Sequence, residues 1–231
     1  MNANLNNFAE EHAFTLPFEC HYRLHRPARP PELLFLVLHG YGMNAQTMLQ
    51  LTLLMLGQDR LVASIQAPHQ FYLGENKPNA RIGYNWGTRN HGDAAIAFHH
   101  QMVSAVRRDL EARFQIPAIR TILMGFSQPV GYNYRFAANH PDEIGGVIGI
   151  CGGVPKDFAT GSYGQVRAPL LHIARSEDEF FPEEVTLDYP ARLRTRASDV
   201  EFHMLTGGHR FPSNGFSVIE PWLKRVFGIT R

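Results

Sequence analysis

The sequence predicts an α/β fold, a mostly parallel, doubly wound sheet with helices on both faces, and three observations carry that expectation. Short runs at 33–38, 61–66, 119–124, 147–151, 170–174 and 200–205 are almost continuously apolar, as strands covered on both faces are. Helical periodicity separates several of them: Ile96, Val103, Val106, Leu110 and Phe114 recur at spacings of three, four and seven. No repeat, low-complexity tract or linker interrupts this alternation, so the 231 residues read as a single domain over 1–231.

Taken in order, Phe18, Cys20, Tyr22 and Leu24 alternate with polar residues, the pattern of an outer strand with one wet face. The run at 33–38 is too short to cross a membrane and reads as the first buried strand. The stretch 74–92, rich in Gly, Asn and Pro, lacks periodicity and is expected to be a long functional loop. A crossover helix is expected over 93–114, capped by Asp93, and a closing helix over 215–227.

Composition removes several classes of function. Lys and Arg number 22 against 21 Asp and Glu, a net charge of +1, so nothing steers the chain toward nucleic acid or an acidic membrane. No apolar run approaches the roughly 20 residues of a membrane span. The amino end has neither a basic start nor an apolar stretch, and the two cysteines, Cys20 and Cys151, read as buried thiols of a reducing compartment; together these predict a cytoplasmic protein. Twelve histidines are present without ligand spacing: His99 and His100 are adjacent and expected to face apart, while His172 and His203 fall in strand runs as hydrogen-bonded core residues. No metal site is expected.

The chemistry gathers at strand ends. Thr121-Ile-Leu-Met-Gly125-Phe126-Ser127-Gln128-Pro129 is a buried-strand run emptying into Gly-x-Ser, the start of a strained strand-to-helix turn that exposes a serine hydroxyl. Asp178 follows the run at 170–174 in an acidic loop. His209 follows the strand at 200–205 after Gly207-Gly208, which free the backbone to aim the ring. Earlier, the strand at 33–38 runs into His39-Gly40-Tyr41-Gly42, a turn that can present the Tyr41 N–H to a developing oxyanion. Serine, acid and histidine in this order, each past a strand, are the parts of an acyl-transfer site.

On these residues the chain resembles the α/β-hydrolases of the phospholipase/carboxylesterase family, which includes acyl-protein thioesterases. The similarity runs from about Leu33 to the C-terminus, and Gly125-Phe126-Ser127-Gln128 is its most specific part. The resemblance implies an α/β-hydrolase fold, a triad of Ser127, Asp178 and His209, an oxyanion hole from the N–H groups of Tyr41 and Gln128, and hydrolysis of esters or thioesters with no metal or organic cofactor. The partner it implies is a small-molecule acyl ester or thioester; a homodimer is left open. Met43, Tyr84, Trp86, Phe180 and Phe181 are the candidate walls of the substrate cleft.

Two departures bear on this reading. Pro129 stands where the elbow pattern closes with glycine, and Ala174-Arg175 stands where relatives tend to show His-Gly. The proline removes no oxyanion donor, since that N–H belongs to Gln128, and proline is accepted in a first helical turn. A shifted helix start is expected, with Gly131 returning clearance. Two other readings stay open: a hydrolase-fold protein that only binds a ligand, and an acyltransferase using the same three residues.

Overall fold

The computed structural model describes residues 10–74, 77 and 79–229. In chain order the elements are β1 (Tyr22–His25), β2 (Leu34–Leu38), α1 (Ala45–Leu56), β3 (Leu61–Ile65), β4 (His69–Leu73), β5 (Arg81–Asn85) and α2 (Gly92–Phe114). They continue with β6 (Thr121–Phe126), α3 (Val130–Asn139), β7 (Gly146–Ile150), β8 (Leu170–Arg175), α4 (Glu183–Thr186), α5 (Tyr189–Arg194), β9 (Val200–Leu205) and α6 (Phe216–Phe227). Seven strands form one sheet in the order β1-β3-β2-β6-β7-β8-β9; all pairs are parallel except β1 with β3. This is the mostly parallel, doubly wound sheet that the strand pattern predicts.

The alternation of each strand divides two cores. Leu34, Leu36, Leu38, Leu123, Val147 and Leu170 point to the face covered by α2, α3 and α5. Phe35, Val37, Ile122, Met124, Ile148 and Leu171 point to the face covered by α1 and α6. Strands wet on neither side explain why the runs read as continuous rather than alternating. From β2 the chain builds outward first to β3 and then, on the other side, to β6, so the sheet's switch point lies between β2 and β6. Crevices at the carboxyl ends of such strands are where this class of sheet binds ligands. Beyond those ends the strands are laced together: the N–H of Ser127 donates to Ile150 O (2.8 Å), that of Cys151 to Ile173 O (2.8 Å) and that of Ser176 to Leu205 O (2.9 Å).

Several local expectations change. The outer strand is confined to Tyr22–His25, with Phe18 and Cys20 exposed ahead of it, so Cys20 is not a buried thiol. Asp93 does not cap α2; the cap position is His91 in a left-handed conformation (φ 53°) with no side-chain bond, and Asp93 sits in the first turn. A side-chain cap needs an extended backbone, as at Asn44, whose Oδ1 accepts the Thr47 N–H at 2.8 Å ahead of α1. Residues 118–120 form a 3-10 turn and β6 starts at Thr121. The expected loop over 74–92 contains β5, which pairs with β4 in an antiparallel hairpin. The polar amino end at 1–9 and positions 75, 76 and 78 of that stretch lie outside the described residues. Among the described residues no helix is long and apolar enough to cross a membrane.

Candidate active site

Ser127 stands directly past β6 with φ 63°, a left-handed conformation that crowds any residue bearing a Cβ. Such a conformation costs on the order of 1–3 kcal/mol and persists only where its surroundings enforce it. Here the Ser127 N–H is tied to β7, and its carbonyl accepts the Val130 N–H at 3.2 Å. Two glycines give the turn its room. A Cβ at Gly125 would sit 2.6 Å from Asn133 Nδ2, and one at Gly152 would sit 2.4 Å from Val130 Cβ and 2.5 Å from Ser127 O. The clearance expected from Gly131 therefore comes from Gly125 and Gly152, since a Cβ at Gly131 approaches nothing nearer than Gly153 O at 3.2 Å.

Pro129 fits this turn. Its φ of −74° is the angle its ring prefers, it occupies the cap position of α3, and its carbonyl accepts the Asn133 N–H at 2.8 Å. The helix starts at Val130, one residue later, so the missing proline N–H leaves no vacancy in the ladder.

His209 Nε2 lies 2.8 Å from Ser127 Oγ, and His209 Nδ1 lies 2.8 Å from Asp178 Oδ2. A carboxylate can only accept, so Nδ1 carries the proton and Nε2 is left as acceptor for the serine hydroxyl. Asp178 is buried, and its other oxygen accepts two main-chain N–H groups, from Phe180 and Phe181, both at 2.9 Å. The imidazole is enclosed by aromatic rings: Phe126 stacks at 5.3 Å, Phe180 meets it edge-on at 4.9 Å, and Phe181 lies at 5.8 Å. The His209 N–H donates to Glu179 Oε2 at 3.0 Å, the first cause holding that carboxyl below its ordinary range. Cys151 is the nearby thiol. Burial, then the charge of Asp178, pushes it up to about 12, so it stays protonated and unreactive.

The opposite wall is the turn after β2. A Cβ at Gly40 would lie 3.1 Å from Phe126 Cδ1 and 3.2 Å from Ser127 Cβ, so only glycine lets this turn approach the serine closely without displacing its neighbours. The turn is pinned to β5 by Gly42 N–H to Tyr84 O (2.9 Å) and Tyr84 N–H to Met43 O (3.2 Å). His39 beneath it is neutral: Nε2 accepts the Ala67 N–H at 3.1 Å, Nδ1 donates to Gly40 O at 2.9 Å, and burial pulls its pKa down to about 4. Among the described residues neither the Tyr41 N–H nor the Gln128 N–H has an acceptor. The Gln128 side chain is locked, its Oε1 accepting the Trp86 N–H (3.0 Å) and its Nε2 donating to Gly87 O (2.9 Å).

The structure thus brings together Ser127, Asp178 and His209, with Phe180 and Phe181 against the imidazole. It does not do so for every expected wall residue. Trp86 is a core residue, 1% exposed, whose indole N–H donates to His39 O at 2.8 Å; its apolar surface is taken up by His39 and His99. Met43 and Tyr84 are half-buried against the two cores. The contacts of the Phe126 ring, the Glu179 carboxylate and the Gln128 side-chain amide were not foreseen from sequence, although Phe126 and Gln128 flank the serine. His99 and His100, expected to face apart, are both buried with rings 5.6 Å apart, and His203 is partly exposed beside Glu201 (2.8 Å). Among the described residues no group of three His, Cys, Asp or Glu could hold a metal ion. A groove of about 1180 Å³ lies elsewhere, between Phe14, Leu16 and Phe18 and the α2 residues Ala94, Phe98 and Met102.

No protein-family model and no curated protein matches the chain by sequence. Solved structures do match by shape. The chain is similar to esterase PE8 at 21% identity, covering 91% of this chain and 100% of that one with a TM-score of 0.72. It is similar to the Bacillus cereus carboxylesterase at 14% identity, covering 90% and 95%, TM-score 0.71. A phospholipase/carboxylesterase from Dyadobacter fermentans DSM 18053 matches at 18% identity, covering 89% and 96%, TM-score 0.66. These likenesses establish the α/β-hydrolase fold.

Proposed function

We propose that this chain is a serine hydrolase that cleaves carboxylic esters or thioesters through an acyl-enzyme. The observation that carries the reading is the unbroken relay of two 2.8 Å contacts from Asp178 through His209 to Ser127, on a serine held at φ 63°. Nucleophile, base and orienting acid are then in the relation that acyl transfer requires.

Ser127 Oγ attacks the acyl carbonyl while His209 Nε2 takes its proton. Asp178 fixes the Nδ1–H tautomer and stabilises the imidazolium. The N–H groups of Tyr41 and Gln128 receive the oxyanion; each such donor is worth roughly a hundred- to a thousandfold in rate. His209 then protonates the leaving alcohol or thiol, and water repeats the cycle on the ester of Ser127. Phe180 and Phe181 beside the imidazole favour an apolar acyl or leaving group. Two unpaired cysteines suit a reducing, cytoplasmic setting.

The test is labelling by a fluorophosphonate probe, followed by hydrolysis of acyl esters of increasing chain length. Wild type should label and turn over, and Ser127→Ala should do neither. A wild type that takes no label would leave a hydrolase-fold binding protein; one that prefers an added alcohol or amine over water would be an acyltransferase.

A further inference from the structure

Arg175 ends β8, and its side chain does something its position in the sequence gives no hint of. The Nη2 group donates to Thr206 O at 2.5 Å and the Nη1 group to Arg210 O at 3.3 Å. These two carbonyls bracket His209. The segment between them is intrinsically loose, because Gly207 and Gly208 precede the histidine, and Gly207 sits at φ 122°, a conformation open to glycine. A Cβ at Gly207 would lie 1.8 Å from Nη2 and 2.6 Å from Cζ, so the guanidinium packs directly against the bare backbone. The same segment is tied to the acid loop by Glu177 N–H to Gly207 O (3.0 Å) and by the Glu179 carboxylate on the His209 N–H (3.0 Å).

We infer that Arg175 is a positioning residue for the imidazole: its planar fork gathers the carbonyls on either side of His209 and holds the ring in line with Ser127. The inference rests on the serine-hydrolase reading above. Two features separate it from a merely stabilising contact. Among the described residues the hydrogen-bond partners of Arg175 are main-chain carbonyls and no carboxylate, and its Nε is buried with no hydrogen bond, an arrangement that stability alone disfavours. The Arg210 carbonyl it holds also accepts from Cys151 Sγ at 3.7 Å, so the clamp joins the His209 segment to the strand end beside the serine elbow. The residue that interrupts the family pattern replaces the freedom of two glycines with a fixed geometry.

The experiment compares kcat, KM, thermal midpoint and fluorophosphonate labelling rate for wild type, Arg175→Ala and Arg175→Lys. A misplacement of about 1 Å costs up to a hundredfold in rate, so Arg175→Ala should lose about ten- to a hundredfold in kcat and in labelling, with KM within about threefold. Arg175→Lys should be impaired alike, because an ammonium cannot present two donors in a fixed fork. Millimolar guanidinium should restore part of kcat to Arg175→Ala and leave wild type unchanged. Full kcat in either variant, or a loss that guanidinium does not relieve and that follows the thermal midpoint, overturns the inference. Should Arg175→Ala fail to fold, Arg175→Lys, which keeps charge and stem, decides alone. An unlabelled wild type overturns the hydrolase reading and this inference with it, whereas a labelled wild type with unimpaired variants overturns only this inference.

Discussion

Acidification from pH 7 to pH 5 should lower the stability of this protein, through four buried histidines rather than through its carboxylates. His39, His99, His100 and His172 are each at most 7% exposed. Burial, the largest cause in every case, pulls His39 and His100 down to about 4 and His99 and His172 down to about 3. The charge of His100 adds to the effect at His99, and that of His140 at His100. In the unfolded chain each binds a proton near pH 6.5, so below that value the unfolded state takes up protons that the folded state refuses. The stability these groups contribute is complete above pH 6.5 and is lost as pH falls toward 4. One pKa unit is about 1.36 kcal/mol, so each histidine withdraws on the order of 2 kcal/mol between pH 7 and 5, and the four together on the order of several kcal/mol. A whole domain is stable by only about 5–15 kcal/mol. Urea unfolding followed by tryptophan fluorescence at pH 7, 6, 5.5 and 5 measures the change. His100→Phe, in a site already lined by Phe136, should reduce the slope below pH 6 by about a quarter. An unfolding free energy that stays flat from pH 7 to 5 would refute the reasoning, because it would require these side chains to accept protons where they are buried.

Two further substitutions test the elbow and the facing turn. Pro129→Gly should change ester hydrolysis by less than about tenfold, because the ring already sits at a compatible φ and the turn takes its clearance from Gly125 and Gly152; a gain of several orders of magnitude would mean that the native elbow is impaired. Gly40→Ala should lower kcat by about tenfold with little loss of stability, since a Cβ 3.2 Å from Ser127 Cβ displaces the serine or the turn by a few tenths of an ångström; steady-state kinetics with unchanged rate would contradict this.

The sheet was legible because its strands are buried on both faces, and the three residues proposed as a triad stood out because each lies just past such a strand. Ser127, Asp178 and His209 follow β6, β8 and β9 by one to four residues. What escaped was information held between distant segments. In α1 the buried positions Ala45, Met48, Leu49, Thr52, Met55 and Leu56 do follow a helical period, but Leu51, Leu53 and Leu54 fill the other faces and mask it. The β4–β5 hairpin has mostly exposed or half-buried residues and no clean alternation. Trp86 looked like a wall of the cleft because an aromatic in an irregular stretch suggests one; the His39 carbonyl and Gln128 amide that claim it come from 47 and 42 residues away in sequence. Arg175 looked like damage to a motif because its partners lie more than thirty residues onward.

If the proposed hydrolase reading holds, the manner in which Asp178 is held bears on how selectivity would be altered. Its Oδ1 is gripped by the main chain of residues 180 and 181, while their phenyl rings pack against the imidazole, one edge-on and one tilted. A change of side chain at these two places therefore leaves the main-chain donors of the carboxylate in place, whereas proline, lacking the N–H, removes one. The acid's tether and the aromatic lining share two residues yet use different atoms, so one can be redrawn while the other stands.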